Sequence, residues 1–382
     1  MASVQARHAR TCRLGKAWSA FELPSGCSCE PTYYVVVREG TRLHRERVGK
    51  NRKVAERALR KIGASVDDGA YRPQLRITFA EWGERWLDSL ERKPTTRKSY
   101  GETIKHAKAS TFGDRDVRRI VAEDIAAFST RLRTLGLADS TRAKHLRVLH
   151  ACFTAAQAHG YTASNPVARL PKVQRPRAAK KEAAYFEDAE LAAVIGAATP
   201  GLFRTLFLTA LKTGMRQGEL SALTWGDVDL AAEVIRVRRS ITAGYLGMPK
   251  NHERRDVDIT PDLVETLGSW WGECGKPDDA LLVFPSDGAK PHLAPTTILR
   301  RELYPAMKRA GVTREGPTGE LRTFHSFRHT YARIALEHRA ELTWLQRQLG
   351  HSSLAVTAGI YGHWSREQRK LHAERMRGAF AV

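Results

Sequence analysis

Two hydrophobic periodicities divide the chain. Thr32–Arg38 (TYYVVVR) and Thr41–Val48 are rich in β-branched and aromatic residues and meet across Glu39-Gly40, the pattern of a β-hairpin. Lys53–Ile62 switches to helical spacing and is expected to stop at Gly63. Further on, Phe79, Trp82, Trp86, Leu87 and Leu90 recur at helical intervals. Val121–Leu132 forms a second amphipathic helix, started near Ala122-Glu123-Asp124. Ser140–His159 is the most regular, with Leu146, Leu149, Phe153 and Ala156 as its apolar stripe, Arg142, Lys144 and Arg147 facing elsewhere, and Gly160 as its end. The polar run Thr95–Ser110 between the first two has a composition suited to lying along phosphates. Beyond it, Asp188–Ala197 and Leu202–Leu211 read as helices, Val234–Ile241 and Arg255–Ile259 as strands flanking the turn Gly244–Asn251, and more helices follow.

This pattern predicts a multidomain, mainly α fold with small β-sheets. A small β-β-α module occupies residues 1–72 and a helical domain 73–172. A basic, Pro-rich linker spans 173–184 (around Pro171, Arg175, Pro176, Arg177, Lys180 and Lys181), and an α+β domain runs from 185 to 382. The length, 382 residues, suits two or three domains, and 42% hydrophobic residues suffice for ordinary cores.

Charge narrows the partner. Lys and Arg number 63 against 41 acidic residues, a formal charge of +22, which favours a polyanion, nucleic acid first. Residues 1–75 alone hold 15 basic against 7 acidic residues, and Arg38, Arg42, Arg45, Arg47 and Lys50 crowd the hairpin; a basic ribbon of this kind can enter a DNA groove. No apolar run approaches a membrane span and the N-terminus lacks a signal peptide's apolar core, so a cytoplasmic protein with no membrane partner is expected. Five scattered cysteines argue against a disulfide framework. His8, Cys12, Cys27 and Cys29 are potential zinc ligands, but HxxxC…CxC matches none of the strong zinc spacings. Free cysteines are the commoner reading, and no metal or other cofactor is expected.

The candidate chemistry lies toward the C-terminus, in LRTFHSFRHTYARIALEHRAELTWLQRQLGHSSLAVTAGIYGH, residues 321–363. His325 and Arg328, three apart, share one helix face. Leu349-Gly350-His351 follows, and Tyr361 comes ten residues after His351. Arginine binds phosphate oxygens bidentately, histidine donates hydrogen bonds or carries protons, and tyrosine serves as a covalent nucleophile, a set suited to phosphodiester chemistry. His325 and His329 also stand four apart as in a zinc protease helix, but Ser326 occupies the place of that motif's glutamate base, so that chemistry is excluded.

Upstream, TGMRQGELSALTWGDVDL (residues 213–230) resembles the first signature box of the tyrosine recombinases, the phage integrase family. HSFRHTYA, LGHSS and the Tyr361 of GIYGH resemble the rest of that family's signature, in the same order, over about 185–363. Residues 73–172 resemble the family's helical, SAM-like core-DNA-binding domain, and the N-terminal module its arm-binding domain. The resemblance implies a site-specific recombinase that cuts and rejoins DNA through a 3′-phosphotyrosyl intermediate, without metal or ATP. By motif position, Arg216 and Arg328 would clamp the scissile phosphate, and His325 and His351 would donate hydrogen bonds to it, with His325 able to accept the nucleophile's proton. Tyr361 would attack phosphorus, Lys250 would protonate the departing 5′-oxygen, and Glu219 would hold Arg216 in place.

Many members place the tyrosine nine residues after the GH histidine. The gap of ten here requires a loop within Ser352–Ile360 to absorb one residue. The implied partners are double-stranded attachment-site DNA, a homotetramer on two duplexes, an excisionase or directionality factor, and a host DNA-bending protein. The basic tail Trp364–Val382 would dock on a neighbouring protomer. Two other classes stand beside this one. A type IB topoisomerase shares the chemistry, but the helical-plus-arm layout speaks against it. A catalytically silent DNA-binding regulator would have lost at least one of Arg216, His325, Arg328 or Tyr361, and all are present.

Overall fold

A computed structural model describes residues 2–9, 11–12, 18–20, 27, 29–39, 42–68, 76–178, 182–249, 254–287, 291–317 and 319–354. The chain divides into two compact units, Met1–Ala179 and Lys180–Val382, with the boundary inside the basic, Pro-rich stretch.

The first unit opens with four strands, β1 (Ala2–Arg7), β2 (Trp18–Ala20), β3 (Thr32–Glu39) and β4 (Arg42–Gly49). They form an antiparallel sheet in the order β2-β1-β3-β4, and α1 (Arg52–Asp67) follows. Alternation along β1 and β3 buries Val4, Ala6, Tyr33, Val35 and Val37 together with Ala55 of α1. The module is therefore a four-stranded sheet with a helix, larger than the expected β-β-α. The missed strands are short, and only two residues of β1 are buried, too weak an apolar signal among basic neighbours. Gly63 does not end α1 either. A mid-helix glycine costs only about 1 kcal/mol relative to alanine, and Ile62 and Val66 on either side of it pack against the sheet's core.

Four helices complete this unit: α2 (Phe79–Asp88), α3 (Pro94–Lys108), α4 (Ala122–Thr134) and α5 (Asp139–Ala158). Thr78 starts α2 with a capping box: its hydroxyl accepts from the Glu81 N–H at 3.2 Å while the Glu81 carboxylate accepts from the Thr78 N–H at 2.9 Å. The polar run Thr95–Ser110 falls almost wholly within α3, which Pro94 initiates and which buries Thr103, Ile104 and Ala107. The expected stripe of α5 is buried, with Phe153 tilted against Phe79 at 5.5 Å between ring centroids and Phe79 edge-on to Phe112 at 5.1 Å. Arg142 departs from expectation. It lies buried, donating to the Ser129 carbonyl at 3.3 Å and to Asp139 at 2.7 Å; its long stem covers apolar surface while its head finds local acceptors.

The second unit has α6 (Asp188–Ala197), α7 (Leu202–Thr213) and α8 (Gln217–Leu220), then strands β5 (Val228–Asp229), β6 (Val234–Val237), β7 (Ser240–Thr242), β8 (Tyr245–Gly247) and β9 (Arg255–Asp258). β5-β6-β9 form an antiparallel sheet, and β7 and β8 a separate two-stranded ribbon. Helix α9 (Pro261–Glu273) follows, then α10 (Pro295–Thr297), which runs through a wider turn at Ile298–Leu303 into α11 (Tyr304–Arg309). The last described helices are α12 (His325–Glu337) and α13 (Leu342–Leu349). Phe186, Phe207, Phe324 and Phe327 pack tilted and edge-on at the centre, with α12 packed along α7 and α13 against β9. No described helix is long and apolar enough to cross a membrane.

Phe153 is fully buried where α5 meets α2. Phe153→Ala is therefore expected to destabilise the first unit by about 3–5 kcal/mol, read as a lower midpoint in chemical denaturation monitored by helical circular dichroism. A change within error would show that this ring does not hold the helices together.

Candidate active site

Arg216 stands at the start of α8, in extended backbone just before the helix. Its N–H donates to Glu219 at 2.9 Å, one guanidinium nitrogen donates to the same carboxylate at 2.9 Å, and the other donates to the Gly350 carbonyl at 2.8 Å. The helical spacing of Arg216 and Glu219 thus makes a cap and an ion pair at once. Glu219 is 1% exposed. A buried carboxylate needs full compensation, and much of it comes from a residue the sequence reading did not single out.

That residue is Arg255, at the start of β9. It grips Glu219 with two parallel hydrogen bonds of 3.0 and 2.7 Å and donates a third, 2.9 Å, to the Gln348 carbonyl. Burial alone would raise the Glu219 pKa; the hydrogen bonds and charge of Arg255, with Arg216 beside it, overturn that and hold it at about 2. A signal for Arg255 does exist in the sequence. Period-2 alternation places it on the same face as buried Val257, and a cation on an apolar face implies a buried partner.

α12 supplies the next pair. Its start is tied to Thr323, whose hydroxyl accepts from the His325 N–H at 3.2 Å and whose own N–H donates to Ser326 at 3.0 Å. His325 opens the helix, and Arg328, one turn on, is 2% exposed. Arg328 donates to the Gly214 carbonyl at 2.7 Å and the Leu349 carbonyl at 2.6 Å. His351 follows the end of α13. There Gly350 turns left-handed at φ 61°, its N–H bonding to Arg347 at 3.0 Å and that of His351 to Gln346 at 3.1 Å, a Schellman closure.

Arg216, Glu219, His325, Arg328 and His351 therefore converge, from α8, α12 and the end of α13. Lys250 and Tyr361 lie outside the described residues, as does the tail Trp364–Val382. A cavity of about 240 Å³ opens here, walled by Arg216, Arg254, Arg255 and Arg347 with Gln346, Gly350 and His351. Arg328 and His325 are not in its wall. Loss of water contact, then the neighbouring arginines Arg328 and Arg216, depress the pKa of His325 to about 4 and of His351 to about 3. His329, its ring 4.7 Å from that of His325, falls to about 3 by burial and by His325 itself. At neutral pH these imidazoles are uncharged and each offers one N–H donor and one acceptor. The arrangement can offer fixed guanidinium groups to an anion and leaves neutral histidines able to pass hydrogen bonds or a proton.

Known proteins resemble this chain in sequence and in fold. Residues 191–368 match the phage integrase family. The putative prophage phiRv2 integrase of Mycobacterium tuberculosis is 32% identical over 292 residues, 75% of this chain and 74% of that one. The ICEBs1 integrase of Bacillus subtilis is 24% identical across 88% of this chain and 93% of its own. Among solved structures, the Tn1549 transposon integrase in complex with a circular intermediate DNA superposes with a TM-score of 0.67 at 16% identity, over 78% of this chain and 99% of that one. A lambda integrase dimer bound to a COC′ core site gives 0.61 at 20% identity, over 87% and 93%. These two likenesses establish the mainly α, multidomain fold. With nearly a third of the residues identical over three quarters of both chains and residues 191–368 matching its model, this chain belongs to the phage integrase family and is a tyrosine site-specific recombinase.

Proposed function

We propose that this protein is the integrase of a phage or other mobile element, joining the element's attachment site to a host site and, with a directionality factor, excising it. The observation that carries the reading is charge balance. Two guanidinium groups, Arg216 and Arg255, share the carboxylate of Glu219, with Arg328 held on two carbonyls beside them, and two cations on one carboxylate leave positive charge suited to a bound anion. A scissile phosphate supplies it, and the charge that grows on its non-bridging oxygens during attack is stabilised by donors already in position.

Arg216 and Arg328 are the proposed phosphate clamp. His325 and His351 donate to the same phosphate, and His325 accepts the Tyr361 proton. Tyr361 attacks phosphorus to form a 3′-phosphotyrosyl bond, and Lys250 protonates the 5′-oxygen that leaves. A free 5′-hydroxyl on a partner strand then reverses the step and reseals DNA without ATP. Glu219 is a positioning residue. Arg255 is a second positioning residue, fixing Glu219 and the end of α13 together.

The N-terminal sheet is proposed to contact duplex DNA. Opposite the helix-covered face, Trp18 carries Arg7 and Arg45 over its ring at 5.4 and 5.0 Å and packs on Tyr34. Arg45 and Arg47 of β4 lie exposed beside them. A homotetramer on paired sites and a host DNA-bending protein complete the proposed assembly.

The decisive test is a suicide substrate, a nicked attachment-site duplex incubated in EDTA. Wild type is expected to trap a covalent protein–DNA complex and Tyr361→Phe none. A complex that survives the substitution moves the nucleophile elsewhere, and no complex from either protein on a site that both bind overturns the recombinase chemistry.

Arg255→Lys keeps the charge but loses the two-pronged grip on Glu219. Its cleavage rate at saturating DNA should fall while its affinity for the site holds. Arg255→Ala should cost roughly 3 kcal/mol of stability, the low end for a broken buried pair, because Arg216 remains on Glu219. Unchanged cleavage by both variants would remove Arg255 from the site.

The histidine shifts set the pH dependence. An ordinary imidazole titrates near 6.5, but with His325 held at about 4 and His351 at about 3 the neutral forms persist well into acid. Cleavage at limiting DNA is expected to stay level from about pH 8 down to about pH 5 and to fall below that. The unfolded chain binds protons on these groups from about pH 6.5 downward, so stability from the site is complete above that pH and is lost progressively as the pH falls toward 4. An activity inflection near 6.5, removed by His325→Gln, would contradict this environment.

A further inference from the structure

The N-terminal module gathers four potential metal ligands that the integrase chemistry does not use. His8 lies just past β1, Cys12 in the connection to β2, and Cys27 and Cys29 in the connection from β2 to β3. Strand register explains why they meet. Arg7 pairs with Thr32 across β1 and β3 and with Trp18 across β1 and β2, so the β1–β2 connection and the entry into β3 lie at the same end of the sheet. Their ligand atoms all lie within 4.8 Å of one another.

The individual distances are more telling. His8 Nδ1 is 3.3 Å from Cys29 Sγ, 3.6 Å from Cys12 Sγ and 3.1 Å from Cys27 Sγ. Cys27 Sγ is 3.7 Å from Cys12 Sγ and 3.4 Å from Cys29 Sγ. A tetrahedral zinc ion with bonds of about 2.3 Å to sulfur and 2.0 Å to nitrogen implies edges of about 3.8 Å between sulfurs and about 3.5 Å from sulfur to nitrogen. The cluster has that size. It is not a disulfide arrangement, since both sulfur separations far exceed the ~2.05 Å of an S–S bond.

The surroundings fit as well. His8 is 3% exposed, and its other nitrogen, Nε2, lies 3.0 Å from the Ser19 hydroxyl. An Nε2–H donated to that oxygen leaves the Nδ1 lone pair facing the sulfurs, the outer hydrogen bond that metal-bound histidines ordinarily make. Backbone N–H groups of Cys29 and Ala9 point at the Cys27 and Cys29 sulfurs respectively, hydrogen bonds that orient sulfur ligands.

We propose that His8, Cys12, Cys27 and Cys29 bind one structural zinc ion through His8 Nδ1 and three thiolates, which release their protons on binding. Three sulfurs and one imidazole nitrogen at tetrahedral spacing select zinc over the hard cations. All four positions are filled by protein, so the site is closed to substrate. Its work is mechanical: it joins the two connections flanking β2 and so fixes the strand that carries Trp18. This departs from the expectation of free cysteines, and it stands independently of the recombinase reading.

Full-length protein, purified without added metal or chelator, is expected to hold one zinc ion per chain by inductively coupled plasma mass spectrometry. Cys29→Ser should lose it, and Cys274→Ser, at an exposed cysteine outside the cluster, should keep it. Because Cys29→Ser can also unfold the module, Co²⁺ substitution of the wild-type chain gives a readout of the ligands themselves: intense visible d–d bands of a tetrahedral ion and near-ultraviolet thiolate-to-cobalt charge transfer. Substoichiometric zinc together with only the weak bands of octahedral Co²⁺ overturns the proposal. So does recovery of a disulfide among Cys12, Cys27 and Cys29 from protein alkylated at lysis.

Discussion

Three consecutive backbone carbonyls at the end of α13 each receive a different arginine: Gln348 from Arg255, Leu349 from Arg328 and Gly350 from Arg216. The last carbonyls of a helix have no partner within it and carry the negative end of the helix dipole. Elsewhere water or a capping side chain would serve them. Here guanidinium groups from a strand, a long helix and a loop are drawn to one point in the chain, and the pocket takes its shape from them. His351 follows directly from the same geometry, because the turn that presents the three carbonyls also directs the next residue back toward the site.

This convergence depends on backbone that only glycine supplies easily. Gly350 has φ 61°, and a Cβ there would meet Arg255 atoms at 3.0 Å. Gly214, also at φ 61°, would bring a Cβ within 2.6 Å of Tyr331 and 2.7 Å of Leu349, and its carbonyl is the other acceptor of Arg328. A side chain at either position would be strained by its φ and would also wedge apart the segments whose carbonyls hold the arginines. The glycines in TGMR and LGH are thus part of the electrostatic design. They let Arg216, Arg255 and Arg328 each be positioned in part by a backbone carbonyl rather than by carboxylates alone.

The site was legible in sequence to the degree that its residues keep fixed spacings within one element. Arg216 with Glu219, and His325 with Arg328, are each one helical turn apart, so the motif and the geometry coincide. Arg255 was not legible because its partners, Glu219 and Gln348, are 36 and 93 residues away, and a lone arginine in a strand carries no motif. Helices α2, α4 and α5 of the first unit were found from their stripes, with ends shifting by a residue or two, whereas α1 runs past its expected stop to Asp67 and α3 was read only as a polar run. β1 and β2 were not, since a strand of six residues with two buried positions leaves almost no periodic trace. Arg142 shows the reverse error, in which a cation was assigned to solvent by type although its stem and nearby acceptors allow burial.

The same limit applies to the cysteines. Familiar zinc spacings come from ligands paired on a single short turn, whereas His8 and Cys29 are brought together by the pairing of β1 with β3; the number of residues between them then reflects the length of β2 and its connections rather than the metal. The physical need for such a staple is visible in the module's core. Among the described residues Val4, Ala6, Tyr33, Val35, Val37 and Ala55 are its buried hydrophobic cluster, while the second unit buries an extensive one built around packed phenylalanines. A three-residue strand at the edge of a small sheet gains little from packing among the described residues. A bond network anchored at the sheet's end, where β1 meets both neighbours, constrains that strand without requiring a larger core, so its outward face stays free to be basic.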